Sequence, residues 1–136
     1  MLGCLCYCLA LGGCGQQHRT ESLPQREAVP YVTAKELSES ISSAKSPILV
    51  EFSVPTGCYR CDQMRQQIDM LAKNSAGRLQ VCRVNLTYER SLATQFGISV
   101  CPTYVVFDAG KEVFRQSYPT SGDLLLAELN GVLAAP

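Results

Sequence analysis

The chain has 136 residues, 46% of them hydrophobic and 18% charged, a length and balance that fit one packed domain and exclude a two-domain enzyme or a disordered chain. Twelve Lys and Arg offset twelve Asp and Glu, so no net positive field holds phosphate backbones, which argues against nucleic-acid binding. One His (His18) and no Trp leave little for a zinc hydrolase or a His-dependent triad, and the eight cysteines make sulfur the element on which chemistry rests.

Residues 1–13 carry no charge. The apolar run at 2–11 is shorter than the roughly 20 residues of a membrane-spanning helix and matches a secretory signal core. Leu11-Gly12-Gly13-Cys14 resembles the lipobox of bacterial lipoproteins, which implies cleavage before Cys14 and acylation of its thiol, with several chains giving a stable anchor. Palmitoylation of Cys4, Cys6 and Cys8 is the alternative use of that segment. Residues 15–29 are rich in Gln, Arg, Glu, Ser and Pro without apolar period, the pattern of a flexible tether. His18 falls there, with nothing near it in sequence to complete a metal site. The expected organisation is a signal peptide at 1–13, a tether with lipidated Cys14 at 14–29, and a folded domain at 30–136.

Thr33-Ala34-Lys35-Glu36 has the form of a capping box, and Leu37, Ile41 and Ala44 follow at helical spacing. Residues 47–54 (PILVEFSV) read as a strand buried on both faces, with one charge at Glu51. Cys61, Met64, Ile68 and Leu71 then recur on one helical face, ending near Asn74 to Gly77. A strand is expected at 79–86, a short helix at 89–96 closed by Gly97, and a strand at 103–107. The turn Asp108-Ala109-Gly110-Lys111 leads into a hairpin strand at 112–117. A last helix begins near Ser121, with Leu125, Leu129, Val132 and Leu133 on one face. The order predicts an α/β sandwich, parallel strands first and an antiparallel hairpin last.

Cys58-Tyr59-Arg60-Cys61 lies between the buried strand and its helix, at the edge where open α/β sheets carry their ligands. Cysteines at i and i+3 of a helix sit about 5–6 Å apart, close enough to join and part with little backbone movement. The unpaired N–H groups of the first turn favour a thiolate at Cys58. Cys58 is then the nucleophile, and Cys61, one turn deeper, resolves the mixed disulfide.

Four segments (ILVEFSVPTGCYRC, LQVCRVNL with its short helix, FGISVCPTYVVF, and the final hairpin and helix) resemble the thioredoxin superfamily over residues 30–134. The resemblance implies a three-layer α/β/α sandwich with a mixed central sheet. It implies that Pro102 is cis, lies opposite the cysteine pair, and lets the backbone of Cys101 pair with substrate. It also matches Glu51 and Arg83 to the buried acid and base of the family, the acid moving protons at the deeper cysteine. A structural ion pair and an outward-facing carboxylate stay open for Glu51. Gly57 stands where the family carries Trp, and Tyr59-Arg60 replaces Gly-Pro, so the docking surface differs. Tyr59, Arg60, Cys101 and Thr103 are the substrate-facing candidates; Arg60 is expected beside the Cys58 thiolate, with an exposed arginine as the alternative.

Cys101 is open to three readings: a small, partly buried residue, an alternative disulfide partner, or one of three thiols holding Cu(I) or Zn(II) with Cys58 and Cys61. Cys82 reads as core. The expectation is a monomeric, membrane-tethered thiol–disulfide oxidoreductase facing the periplasm or exterior of a bacterial envelope. It would act on protein thiols or disulfides, be supplied by a membrane redox partner, and need no cofactor beyond the Cys58–Cys61 disulfide and no metal. The alternative is a copper or zinc binding protein built on Cys58, Cys61 and Cys101.

Overall fold

The computed structural model describes residues 29–134. The expected signal peptide, Cys14 and most of the expected tether, His18 included, lie outside the described residues. No helix among the described residues is long and apolar enough to cross a membrane.

Eight elements follow in chain order: α1 (Ala34–Ser43), β1 (Ile48–Ser53), α2 (Tyr59–Asn74), β2 (Gln80–Asn85), α3 (Arg90–Gln95), β3 (Thr103–Asp108), β4 (Lys111–Ser117) and α4 (Gly122–Leu133). The capping box is formed: the Glu36 N–H donates to Thr33 Oγ1 at 3.3 Å while the Thr33 N–H donates to Glu36 Oε2 at 2.8 Å. These two bonds satisfy donors that a helix start leaves orphaned.

The sheet order is β2-β1-β3-β4. Only β1 and β2 are parallel; β3 runs antiparallel to β1, and β4 antiparallel to β3. The mixed sheet therefore turns antiparallel one strand earlier than the hairpin. Strand alternation divides the core into two layers. Leu49, Tyr104 and Val106 pack with Met64, Ile68 and Leu71 of α2 and Leu125 and Leu129 of α4. Val50, Phe52, Cys82, Val84 and Val105 pack with Leu37 of α1 and Leu92 of α3. Helices on both faces of one sheet give the three-layer sandwich, and β1, covered on both sides, is buried along its whole length.

Two boundaries shift. Val29, assigned by sequence to the tether, is fully buried in the α2 and α4 layer. The segment after it runs along β2, with the Arg83 N–H donating to Pro30 O and the Val32 N–H to Arg83 O, both at 2.8 Å. On α4, Leu125 and Leu129 are buried as expected but Leu133 is 36% exposed.

Candidate active site

β1 carries the chain to the sheet edge, a short loop turns it, and Cys58 becomes the N-cap of α2 with β-region backbone angles. Gly57 makes the turn possible. Its φ is +78, a left-handed conformation that costs an L-residue about 1–2 kcal/mol. A Cβ there would meet nothing within 4 Å, so the penalty is conformational rather than steric. Gly57→Ala is expected to lower the urea-unfolding free energy by about 1–2 kcal/mol; an unchanged midpoint would show that the loop simply re-forms.

Cys58 and Cys61 are joined by a disulfide, with their Cα atoms 5.2 Å apart. The Cys61 N–H donates to Cys58 Sγ at 3.1 Å, and the Asp62 N–H donates to Cys58 O at 3.1 Å. The outer sulfur thus sits where helix N–H groups and the positive end of the helix dipole converge, a setting that lowers the cost of a thiolate after reduction. Cys58 is half-buried, whereas Cys61 is fully enclosed. One sulfur faces the solvent side and the other is sealed beneath it.

The Cys101–Pro102 peptide is cis, and the Cys101 carbonyl oxygen lies 3.7 Å from Cys58 Sγ. The loop before β3 is therefore directly opposite the cysteine pair. Thr103, grouped on sequence with the substrate contacts, is completely buried. Its hydroxyl donates to Val100 O at 2.8 Å and shares a hydrogen bond with the Ser117 hydroxyl at 3.0 Å. Thr103 thus braces the loop from beneath. Pro102 is buried too, and its carbonyl accepts the Tyr118 N–H at 2.8 Å.

Arg60, expected beside the Cys58 sulfur, is drawn elsewhere. Its Nη1 donates to Thr120 O at 2.9 Å and its guanidinium carbon lies 5.1 Å from the centre of the Tyr118 ring. With Cys58 held in a disulfide, a carbonyl and an aromatic face take up this cation. Arg60 therefore ties the first turn of α2 to the segment between β4 and α4. Tyr118 and Thr120 are site residues that motif reading missed; only a Tyr-Pro step before the last helix marked the place. Tyr59 at 75%, Tyr118 at 51% and Val100 at 43% exposure put apolar surface around the disulfide.

Under α2, Glu51 and Arg83 form a buried ion pair, Arg83 Nε to Glu51 Oε2 at 2.7 Å, each side chain 1% exposed. This excludes the outward-facing reading of Glu51: the carboxylate points inward and is paired. Arg83 Nη1 also lies 3.0 Å from Asp69 Oδ1, and Nη2 donates to Arg65 O at 3.0 Å. Burial pushes the Glu51 carboxyl above its ordinary value, and the charge and hydrogen bond of Arg83 draw it back only in part. Arg83 is held charged by Glu51 and Asp69 against its own burial. Asp69 escaped sequence reading because it sits beside the apolar stripe of α2 rather than in a motif.

Cys82 lies on the opposite face of the sheet, packed in the layer under α1 and α3. Among the described residues, no group of three His, Cys, Asp or Glu side chains is arranged to hold a metal ion. Two of the three candidate sulfurs, Cys58 and Cys61, are bonded to each other in this structure.

The site is a cysteine pair at a helix start, facing a cis-proline loop over a buried acid, and the chain that carries it matches the family model described as Thioredoxin across residues 28–130. The chain belongs to the thioredoxin family. It is 30% identical over 96 residues to the M-type chloroplastic thioredoxin of Zea mays, covering 71% of this chain and 57% of that protein. It is 29% identical over 86 residues to thioredoxin 1 of Nostoc sp., covering 63% and 79%. The chain spans about half the length of the first curated relatives it matches, 57% of the maize protein and 49% of thioredoxin M5 of Oryza sativa. A mutant thioredoxin from Halobacterium salinarum superposes with a TM-score of 0.69 at 21% identity, covering 81% of this chain and 96% of that one; that likeness bears on the fold.

Proposed function

We propose that this thioredoxin domain is a thiol–disulfide oxidoreductase, tethered to a bacterial membrane through Cys14 and acting on protein disulfides outside the cytoplasm. The observation that carries the chemistry is the asymmetry of the pair, an outer sulfur at the helix N-cap above a sealed inner one. In the reducing direction the Cys58 thiolate attacks one sulfur of a client disulfide. A bond forms between Cys58 and that sulfur, and the other client sulfur leaves as a thiolate. Cys61 then gives up its proton, attacks Cys58 Sγ, closes the Cys58–Cys61 disulfide and expels the second client thiolate. Two electrons pass to the client, and the reverse sequence oxidises it.

Glu51 is the proton acceptor we assign to Cys61. It lies on the sheet face that α2 covers, and its raised affinity for protons suits a group that must take one up and return it. Pro102 holds the Cys101 backbone where an extended client segment can lie beside the disulfide, and Tyr59 is an exposed apolar contact for it. A membrane reductase would resupply electrons. The lipobox-like Leu11-Gly12-Gly13-Cys14 supports the tether and the envelope location.

The test is reduction of insulin disulfides by the reduced full chain. Wild type is expected to exceed Cys58→Ser, Cys61→Ser by at least 100-fold, while Glu51→Gln slows release of the mixed disulfide without slowing its formation; equal rates in wild type and the double variant would end the oxidoreductase reading. Mass measurement of the N-terminal peptide from membranes checks the tether, and an unacylated Cys14 would remove it.

A further inference from the structure

A third cysteine stands beside the Cys58–Cys61 pair. Cys101 is a free, half-buried cysteine, and its own carbonyl oxygen approaches Cys58 Sγ to 3.7 Å. Standard covalent lengths then place its Cα no more than about 6.5 Å from that sulfur. The Cys58 Cα lies about 2.8 Å beyond its own sulfur, so the two Cα atoms are no more than about 9 Å apart. A disulfide needs about 4.4–6.8 Å, and a loop movement of at most roughly 2–4 Å brings Cys101 to Cys58. The other free cysteine of the described residues, Cys82, is on the far face of the sheet and cannot compete. Cys58 is also the sulfur that every exchange passes through, and it faces the Cys101 backbone carbonyl while Cys61 reaches it from beneath.

We infer that Cys101 is a second resolving cysteine, able to close a Cys58–Cys101 disulfide when Cys58 carries a mixed disulfide; this rests on the oxidoreductase reading above. In the step, the Cys101 thiol loses its proton to solvent and its thiolate attacks Cys58 Sγ. The bond from Cys58 to the client sulfur breaks, and the client leaves as a thiolate that takes up a proton. No external oxidant is needed: the two electrons lost by the new Cys58–Cys101 pair reduce the client, as they do when Cys61 closes. The result is a second exit from the mixed disulfide that leaves the Cys61 thiol free. Burial disfavours the Cys101 thiolate, which makes this the slower exit and reserves it for conditions in which Cys61 does not act.

The experiment uses the reduced full chain as Cys61→Ser and as Cys61→Ser, Cys101→Ser, each treated with oxidised glutathione and mapped by peptide mass spectrometry. Both variants share the change in the core, so folding defects cancel. In Cys61→Ser, glutathione on the Cys58 peptide is expected to be at least 10-fold lower than in the double variant, with a linked Cys58–Cys101 peptide pair in its place. Equal, stable glutathionylation of Cys58 in both variants overturns the inference and leaves Cys58 standing as nucleophile. Absence of glutathione and of any linkage at Cys58 in both overturns the inference together with the reading on which it rests.

Discussion

Arg83→Met is expected to lower the stability of the domain by about 3–5 kcal/mol, because it leaves a buried carboxylate without its counter-charge. All three guanidinium nitrogens of Arg83 are engaged, with Glu51, Asp69 and the Arg65 carbonyl. Asp69, whose side chain is 29% exposed, turns to water when Arg83 is removed. Glu51, at 1%, has no such recourse and must be protonated. Its folded proton affinity, already raised by burial, then rises further above the unfolded value. A carboxyl raised on folding contributes stability that is complete below its unfolded pKa and is lost as pH rises, at about 1.4 kcal/mol per unit, until the folded pKa is reached. The defect of Arg83→Met should therefore be small near about pH 5 and largest at about pH 8. Glu51→Leu, Arg83→Met removes both charges and is expected to recover most of the loss, since paired burial gains little over apolar packing. Urea unfolding across this pH range checks the result; a single variant within about 1 kcal/mol of wild type at pH 8 would mean that water reaches the pair.

That ion pair also shows what sequence made visible. Glu51 and Arg83 occupy matching positions of two neighbouring strands, and the parallel register pairs them residue for residue; a lone charge in each apolar run was signal enough. The elements themselves followed from period and punctuation, since the capping box at Thr33, the apolar stripe of Cys61, Met64, Ile68 and Leu71, and the turn after Asp108 are local features. What stayed hidden is non-local. Nothing within three or four residues of Arg60 announces that Thr120 and Tyr118, about sixty positions on, will hold it. Thr103 groups with the substrate-facing residues through its place after Pro102; only the meeting of β3 with β4 shows its hydroxyl spent on Val100 and Ser117. Val29 read as tether because its neighbours are polar, although the layer under α2 buries it.

The cysteines of the reduced domain should differ in alkylation rate by at least about 1000-fold, Cys58 first and Cys82 last. Iodoacetamide reacts with thiolate that it can reach, so proton affinity and access multiply. Cys58 is half-buried at a helix N-cap and receives the Cys61 N–H, so its anion is both accessible and stabilised. Cys82 is 7% exposed, and burial in the layer under α1 and α3 pushes its thiol up to about 12. A rise from 9.0 to about 12 cuts the thiolate present at neutral pH by about 1000-fold before access is counted. Cys101, half-buried and raised by desolvation, should fall between them. Cys61, with no exposed surface, should react only when the first turn of α2 opens. Quenched labelling near neutral pH, read peptide by peptide, gives this order directly. Denaturant should erase it, since unfolded thiols share one proton affinity. Labelling of Cys82 within 10-fold of Cys58 in the folded chain would show that β2 opens on the labelling timescale, and the two-layer core would then be far less closed than its packing requires.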